Sequence, residues 1–275
     1  MRRFTYHEPA TLDEAVSLLA APNAQILAGG TDLLVELKEQ LRRADSVVNI
    51  KKVSGLGGLR YDNGLHIGAL ATAREAETSP LVQEKYRSLA QSVRELGSIQ
   101  VRHRATIIGN VCRASPSADT IPPLIADGAS LRIHGAGGER TLELEDFFLG
   151  PGRTVLKPGD VVTEIVVPAP PAGTGKIYIK HGRRKAMELA TVGVAVTYVP
   201  GVETRIVLGA VGPTPIRARE AEDLLRGKRL TDELIDKAVQ AAVAASRPIS
   251  NVRASAEYRR EMVGVLTRRA LEQLR

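Results

Sequence analysis

The sequence predicts an α+β protein in two parts. A two-lobed α/β region spans residues 1–172, with lobes of about 1–55 and 56–172, and a unit over 173–275 places a three-stranded sheet before a helical bundle. Strands and helices alternate ahead of residue 168, whereas strands are grouped before helices beyond residue 175. Between them, Pro168 to Gly175 reads "PAPPAGTG", a linker composition. A chain of 275 residues is long enough for more than one hydrophobic core.

The elements follow in order. Thr11 and Glu14 have capping-box spacing, and Ala15, Leu18 and Leu19 form the apolar face of the helix they open. A strand at "AQILA" runs into a Gly29-Gly30 turn, then a helix to about Gln40 and a strand at "SVVNI". In "LRYDNGLHIGAL", Asp-Asn-Gly between alternating segments predicts a hairpin. Thr72 and Glu75 repeat the capping spacing, and "LVQEKYRSLAQSVRELG" predicts one helix ended by Gly97. A polar stretch, "SIQVRHRATIIGNVCRASPSADTIPPL", is expected to be irregular, with strands at "ASLRIHG" and "DVVTEIVVP" after it. Past the linker come strands at "KIYIKHG", "TVGVAVTYV" and "TRIVLGAV", then helices near 217–226, 231–246 and 256–274. No internal repeat or low-complexity tract is present.

Composition narrows the function. No apolar run approaches the roughly 18 residues of a membrane span. The start, "MRRFTYHEPATLDEA", has no apolar h-region, so a secretory signal is not expected and a cytoplasmic location is. Cys112 is the single cysteine, which excludes an internal disulfide, a CxxC zinc site and a four-cysteine iron–sulfur site. His7, His66, His103, His134 and His181 show no metal-binding spacing, so no metal ligand is assigned and metal redox chemistry falls to another chain. Net charge is +7, but with no Trp and few Phe and Tyr there is no base-stacking platform. Basic residues are mixed with Glu rather than gathered in a tail, which favours a solvated surface or acidic partners over nucleic acid, and an anionic cofactor would also suit this balance.

Three stretches carry chemistry. Gly29-Gly30 ends a strand and starts a helix, where unpaired N–H groups and glycine's close approach suit a phosphate; Thr31 adds a hydroxyl. Asp32 is expected to complement the helix N-terminus while pointing away from such a ligand. A plain turn explains the same residues, and GxGxxG is absent. In "RATIIGNVCRASPSAD", Thr106, Gly109 and Asn110 offer close backbone and short polar contacts, and Asp119 could accept from ligand hydroxyls. The alternative is a surface loop with Asp119 capping a helix. In "YIKHGRRKAMELATVGVAV", Lys180, Arg183, Arg184 and Lys185 cluster, and Leu189 either covers an aromatic ring or begins a buried strand.

Taken together, in this order and spacing, these stretches resemble the FAD-binding subunit of molybdenum hydroxylases, the family of xanthine dehydrogenase and aerobic carbon monoxide dehydrogenase flavoproteins. "AGGTDLL" is similar to the family's first pyrophosphate loop and "TIIGN" to its second; "FFLGPGRT" and "SAEYRREMVGVLTRRAL" are family-like as well. The resemblance spans essentially the whole chain. It implies a two-lobed FAD-binding region of the PCMH or vanillyl-alcohol-oxidase type, followed by a carbon monoxide dehydrogenase flavoprotein-like domain. It further implies that Ile26, Leu27, Ala28, Gly29, Gly30, Thr31, Asp32 and Leu33 wrap the pyrophosphate, with Thr106, Ile108, Gly109 and Asn110 clasping it. Asp119 would hold ribityl or ribose hydroxyls, Val162 and Lys180 would meet the adenine-side half, and Leu96 and Leu189 would flank the isoalloxazine ring. The chain departs from the family in three places. Ile108 stands where a glycine is frequent, and a β-branched residue cannot cheaply adopt φ > 0. His103 and Arg113 stand where Asn is common.

The implied role is electron transfer. A molybdopterin large subunit and a [2Fe-2S] small subunit, in a dimer of heterotrimers, would feed electrons through FAD to NAD, quinone or oxygen. No catalytic acid or base is required of this chain. The rival readings are a self-sufficient flavin oxidase or dehydrogenase of a small substrate, and a flavin-free assembly subunit.

Overall fold

The structure is a computed structural model describing residues 1–275. The first lobe contains β1 (Thr5–His7), α1 (Leu12–Leu19), β2 (Ala24–Leu27), α2 (Leu33–Lys38) and β3 (Ser46–Asn49). Its sheet runs β1-β3-β2 and is parallel throughout. The Thr11 side chain accepts from the Glu14 amide at 3.3 Å, while the Glu14 carboxylate takes the Ala10 amide at 3.0 Å. The helix start is therefore capped as expected, with the reciprocal bond one residue earlier than a standard box.

The second lobe opens with β4 (Leu59–Tyr61) and β5 (Gly64–Gly68), the predicted hairpin, with Asn63 at φ 48° in its turn. Six short helices follow: α3 (Ala73–Thr78), α4 (Pro80–Lys85), α5 (Arg87–Arg94), α6 (Ile99–Arg102), α7 (Ile107–Cys112) and α8 (Ile121–Ala126). Strands β6 (Ser130–Gly135), β7 (Gly138–Glu143), β8 (Phe148–Gly150), β9 (Arg153–Thr154) and β10 (Val161–Pro168) complete the lobe. The large sheet runs β4-β5-β10-β6-β7, antiparallel throughout. At α3, the Thr72–Glu75 capping box forms in full.

Two expectations are corrected here. The predicted single helix after residue 80 is two helices broken at Tyr86, whose backbone leaves the helical region at φ −128° and ψ 51°. The buried Tyr86 hydroxyl accepts from the Leu65 amide at 3.1 Å and donates toward the Pro168 carbonyl at 3.1 Å, stitching β5 to the end of β10. A tertiary bond of this kind overrides helical periodicity. The stretch expected to be irregular instead forms α6, α7 and α8, started by Ser98 and Thr106 as N-caps and by prolines in the first turn of α8.

Beyond the linker lie β11 (Gly175–His181), β12 (Val192–Val199), β13 (Glu203–Gly209) and β14 (Ile216–Arg217), then α9 (Arg219–Leu225), α10 (Asp232–Ala245) and α11 (Ala256–Leu274). The expected three-stranded sheet gains a short fourth strand, β14, on β13. The three helices share a separate core with one face of this sheet. None of the helices is long and apolar enough to cross a membrane.

Strand β11 joins the two cores. Because successive strand residues point to opposite faces, Ile177 enters the C-terminal core and Tyr178 the N-terminal one. On the Tyr178 face, Lys176 reaches Asp127 at 2.8 Å with side chains 4% and 1% exposed. Thr197 also donates to Asp127 at 2.7 Å, and the Lys176 ammonium lies 4.6 Å from the Tyr86 ring centroid. Removing one partner of such a pair strands a buried charge. Lys176→Met is therefore expected to lower stability by about 3–5 kcal/mol, and adding Asp127→Leu to restore most of it. Urea unfolding followed by circular dichroism, with the two single variants and the double variant, measures this.

Candidate functional site

The first loop leaves β2 at Leu27 and enters α2 at Leu33. Ile26 and Ala28 pack on the main core, while Leu27 and Leu33 pack on a small cluster of Leu37, Ala44 and Val47. Between them, the N–H groups of Gly29, Gly30, Thr31 and Asp32 find no carbonyl acceptor anywhere in the chain. Four successive amides without a carbonyl partner on a glycine turn are a donor set suited to an anion. Gly30 has φ +76°, so the turn needs the left-handed region that glycine enters freely. Asp32 occupies the N-cap of α2 and makes no side-chain cap bond, so any complement it gives the helix start is through its charge.

The second loop meets the first through backbone. A Cβ on Gly29 would lie 2.0 Å from the Arg104 carbonyl oxygen and 3.1 Å from the Ala105 Cα. Only glycine permits that approach, which seats loop one against the residues leading into Thr106. Buried Thr106 caps α7 by accepting from the Gly109 amide at 3.1 Å. Ile108 is the second residue of α7, with its side chain in the core and no positive φ, so the β-branched residue costs nothing there. Asn110 accepts from Thr120 at 2.6 Å, linking the loop to the start of α8. A further tie crosses between the loops: Glu36 on α2 accepts from Arg113 at 2.7 Å and from Arg42 at 2.6 Å. Arg113, one of the departures, thus joins α2 to the end of α7. His103, the other, is exposed at the end of α6.

A second group lies around Asp119. Its Oδ1 accepts from Tyr178 at 2.8 Å and its Oδ2 from Lys180 at 2.9 Å. Burial pushes the Asp119 carboxyl up to about 6, against the opposing pull of Lys180 and Tyr178. Lys180 also donates to the Glu95 carbonyl at 3.0 Å, beside buried Leu96. Lys180 is expected, with Val162, at the adenine-side half of the ligand. In the structure its ammonium donates to Asp119 and to the Glu95 carbonyl, next to Leu96. Val162 is buried in β10 opposite Ile133, so its side chain belongs to the core. Asp119 does not cap α8, whose N-cap is Thr120. Leu189 is 52% exposed and lies ahead of β12, which begins at Val192, so it does not start a buried strand.

An open cleft of about 410 Å³ borders this second group, lined by Glu95, Lys180, His181, Arg183, Arg184 and Lys185. Another hollow, of about 280 Å³ between Arg2, Phe4, Leu37 and Arg42, contains none of the expected residues. The structure therefore brings most of the expected residues into two linked groups, one of backbone amides and glycines and one around Asp119, with Val162 in the core and Leu189 on the surface. The link is the 2.6 Å bond from Thr120, the residue after Asp119, to Asn110. Sequence reading missed Tyr178, Gln91, Glu36 and Arg102. Tyr178 alternates with Lys176 and Lys180 along β11, a period-two signal that could have revealed it; the others act through contacts distant in sequence.

A two-lobed α/β region with a glycine turn of unpaired amides, joined to a sheet-and-helix unit, is an architecture suited to an anionic ligand held by backbone donors. A family model described as the FAD binding domain in molybdopterin dehydrogenase matches residues 2–170, and one described as the CO dehydrogenase flavoprotein C-terminal domain matches residues 177–274. The chain belongs to this family of FAD-binding oxidoreductase subunits, and its cofactor is FAD. It is 35% identical to the carbon monoxide dehydrogenase medium chain of Hydrogenophaga pseudoflava, over 98% of this chain and 96% of that one. It is 30% identical to a xanthine dehydrogenase FAD-binding subunit of Escherichia coli O157:H7, over 98% and 95%. A solved carbon monoxide dehydrogenase from Hydrogenophaga pseudoflava superposes with a TM-score of 0.94 at 36% identity, covering 98% of this chain and 96% of that one.

Two outcomes follow from the geometry. Gly29→Ala forces a Cβ into the Arg104 backbone and is expected to cost about 1–3 kcal/mol, by analogy with other overpacked sites, and to part the loops. Thermal unfolding of the variant measures the loss. For Asp119, the folded-state value of about 6 lies above the ordinary 3.8. Its contribution to stability is thus full below the ordinary value and lost as pH rises through the folded one. Carbon NMR titration of the Asp119 carboxyl is expected to give a midpoint near 6.

Proposed function

We propose that this chain is the electron-transferring flavoprotein of a molybdenum hydroxylase, receiving electrons from [2Fe-2S] clusters of a partner subunit and delivering them to an external acceptor. FAD supplies the redox chemistry when bound, and the chain supplies binding and orientation. The observation that carries this reading is the run of free amides from Gly29 to Asp32, seated by Gly29 against the entry to the second loop. In this reading those amides, with Thr106, Gly109 and Asn110, hold the pyrophosphate. Asp119 and Lys180 form the neutralised floor beneath the sugar-alcohol chain, and Leu96 and Leu189 flank the ring. Ile26, Leu27 and Leu33 shape the first loop through their packing, while Val162 lends only backbone.

The assembly we propose is a dimer of heterotrimers with a molybdopterin large subunit and an iron–sulfur small subunit. The names of relatives as medium chains, and of one solved relative as a carbon monoxide dehydrogenase lacking its Mo-pyranopterin moiety, support it. A chain with a single cysteine suits that division of labour, because cluster ligands must come from elsewhere. The acceptor in this reading is NAD, a quinone or oxygen, and the working location is the cytoplasm. We also propose a domain division at 172/173. Its supports are the linker composition, the two separate cores and the family matches that stop at 170 and resume at 177.

One experiment tests cofactor site and role together. The tagged chain, isolated from its native host, is expected to bring down molybdenum and iron–sulfur chains and to carry stoichiometric FAD. Gly30→Val must hold a β-branched residue at positive φ, a strain of roughly 1–2 kcal/mol, and meets Leu27 at 2.9 Å. The variant is expected to stay folded and lose most of its flavin absorbance. Retained flavin would place the phosphates elsewhere, and isolation without partner chains would defeat the proposed role.

A further inference from the structure

Helix α5 ends in a turn at Glu95–Gly97, and the last carbonyls of a helix need partners from outside it. Here three consecutive carbonyl oxygens, of Arg94, Glu95 and Leu96, are met by two cations with buried side chains. Arg102 Nη1 donates its two hydrogens to the carbonyls of Arg94 at 3.2 Å and Leu96 at 3.0 Å, and lies 3.5 Å from that of Gly97. Lys180 Nζ donates to the remaining one, Glu95, at 3.0 Å. Each cation has its own carboxylate. Arg102 takes Glu77 through Nε at 2.8 Å and Nη2 at 3.3 Å, and Lys180 takes Asp119 at 2.9 Å. Arg74 donates to the same Glu77 oxygen, Oε2, at 2.9 Å.

This is more than the end of a helix requires. Gly97, at φ +52°, already supplies the left-handed reversal that closes helices, and exposed carbonyls are otherwise satisfied by water. Burying two ion pairs carries a desolvation cost that attraction alone only offsets with good geometry. What the arrangement secures is a turn with a single conformation, and the side chain at its centre is Leu96. Only arginine can do this from position 102. Its planar fork grips a carboxylate on one edge and leaves further N–H groups for carbonyls, which a lysine cannot match.

We propose that Arg102, seated on Glu77, is a positioning residue that fixes Leu96 as a wall against the FAD ring, with Lys180 holding the same turn from the opposite side. This rests on the reading that Leu96 flanks the ring. Leu96→Ala, Arg102→Lys and Glu77→Gln are compared with the wild-type full chain, each loaded with FAD and assayed for flavin content and thermal unfolding. The deciding measurements are the visible circular dichroism of the flavin and the fluorescence of the bound flavin.

Leu96→Ala is expected to shift both signals, and Arg102→Lys and Glu77→Gln to shift them in the same direction with FAD content retained. An effect on folding alone would leave the flavin signals of the loaded, folded protein at their wild-type values. That result for Arg102→Lys overturns the proposal, as does a Leu96→Ala variant with unchanged flavin signals. Should Arg102→Lys fail to fold, Glu77→Gln decides, since it keeps the guanidinium and its carbonyl contacts while removing the charge that aims it. A wild-type chain that takes no FAD would defeat the functional reading itself, whereas the other negative results leave that reading standing.

Discussion

The rest of the molecule depends on one strand having two unlike faces. β11 belongs to the C-terminal sheet, yet Lys176, Tyr178 and Lys180 all face the N-terminal region. There they meet Asp127 at one end of α8 and Asp119 just before the other. Helix α8 is buried along its whole length, so these two carboxylates are the places where its ends can be charged at all. Pairing both of them from a single strand sets the position of α8 relative to the second sheet. It also ties the turn at Leu96, through Lys180, to the same strand. The Tyr178 amide adds a bond to Gln91 of α5 at 2.8 Å, so α5, α8 and β11 are mutually located. One strand thus ties the proposed flavin-binding residues of the second lobe to the C-terminal unit.

The first loop is located differently, by absence of side chain. Gly29 lets the turn lie on the Arg104 backbone, and the Glu36–Arg113 pair holds α2 to the end of α7. The contact at Gly29 has no tolerance, since a single methyl group would overlap a carbonyl oxygen. The ion pair is partly exposed at Arg113 and contributes less by itself, about 0–1 kcal/mol for a typical exposed pair. Geometry here is decided by packing of backbone on backbone, with charge acting to select among orientations.

Much of this was legible in the sequence because its signals are local. Thr72 and Glu75 announce a helix start by spacing alone, and Asp-Asn-Gly announces a hairpin by its demand for positive φ. The break at Tyr86 was not legible, because its cause is a hydroxyl reaching β5 and β10, partners remote in sequence. The short helices at 99–126 were hidden for a related reason. Each is too brief to display a full period, and their caps rather than their faces define them. At the site, Gly29-Gly30 could be found as a turn. That Gly29 serves a contact with Arg104 while Gly30 serves the turn's handedness could not, since the two glycines look alike in sequence. The commitment of Lys180 to Asp119 was likewise invisible, because it depends on how α8 and β11 face each other.

The distribution of charge completes the picture. A net charge of +7 suits an anionic cofactor, yet the first loop offers backbone donors rather than basic side chains. The nearby guanidinium groups of Arg42 and Arg113 are spent on Glu36, and the buried ammonium groups of Lys176 and Lys180 on aspartates. A neutral, fixed set of amides binds an anion through oriented dipoles that need no rearrangement, whereas a flexible lysine must first be ordered. At the surface, Arg183, Arg184 and Lys185 line the open cleft beside Glu95, with Arg183 and Arg184 each 3.5 Å from the Glu188 carboxylate. The chain thus uses positive charge in two ways: backbone dipoles left without partners in the first loop, and side-chain cations held by nearby carboxylates.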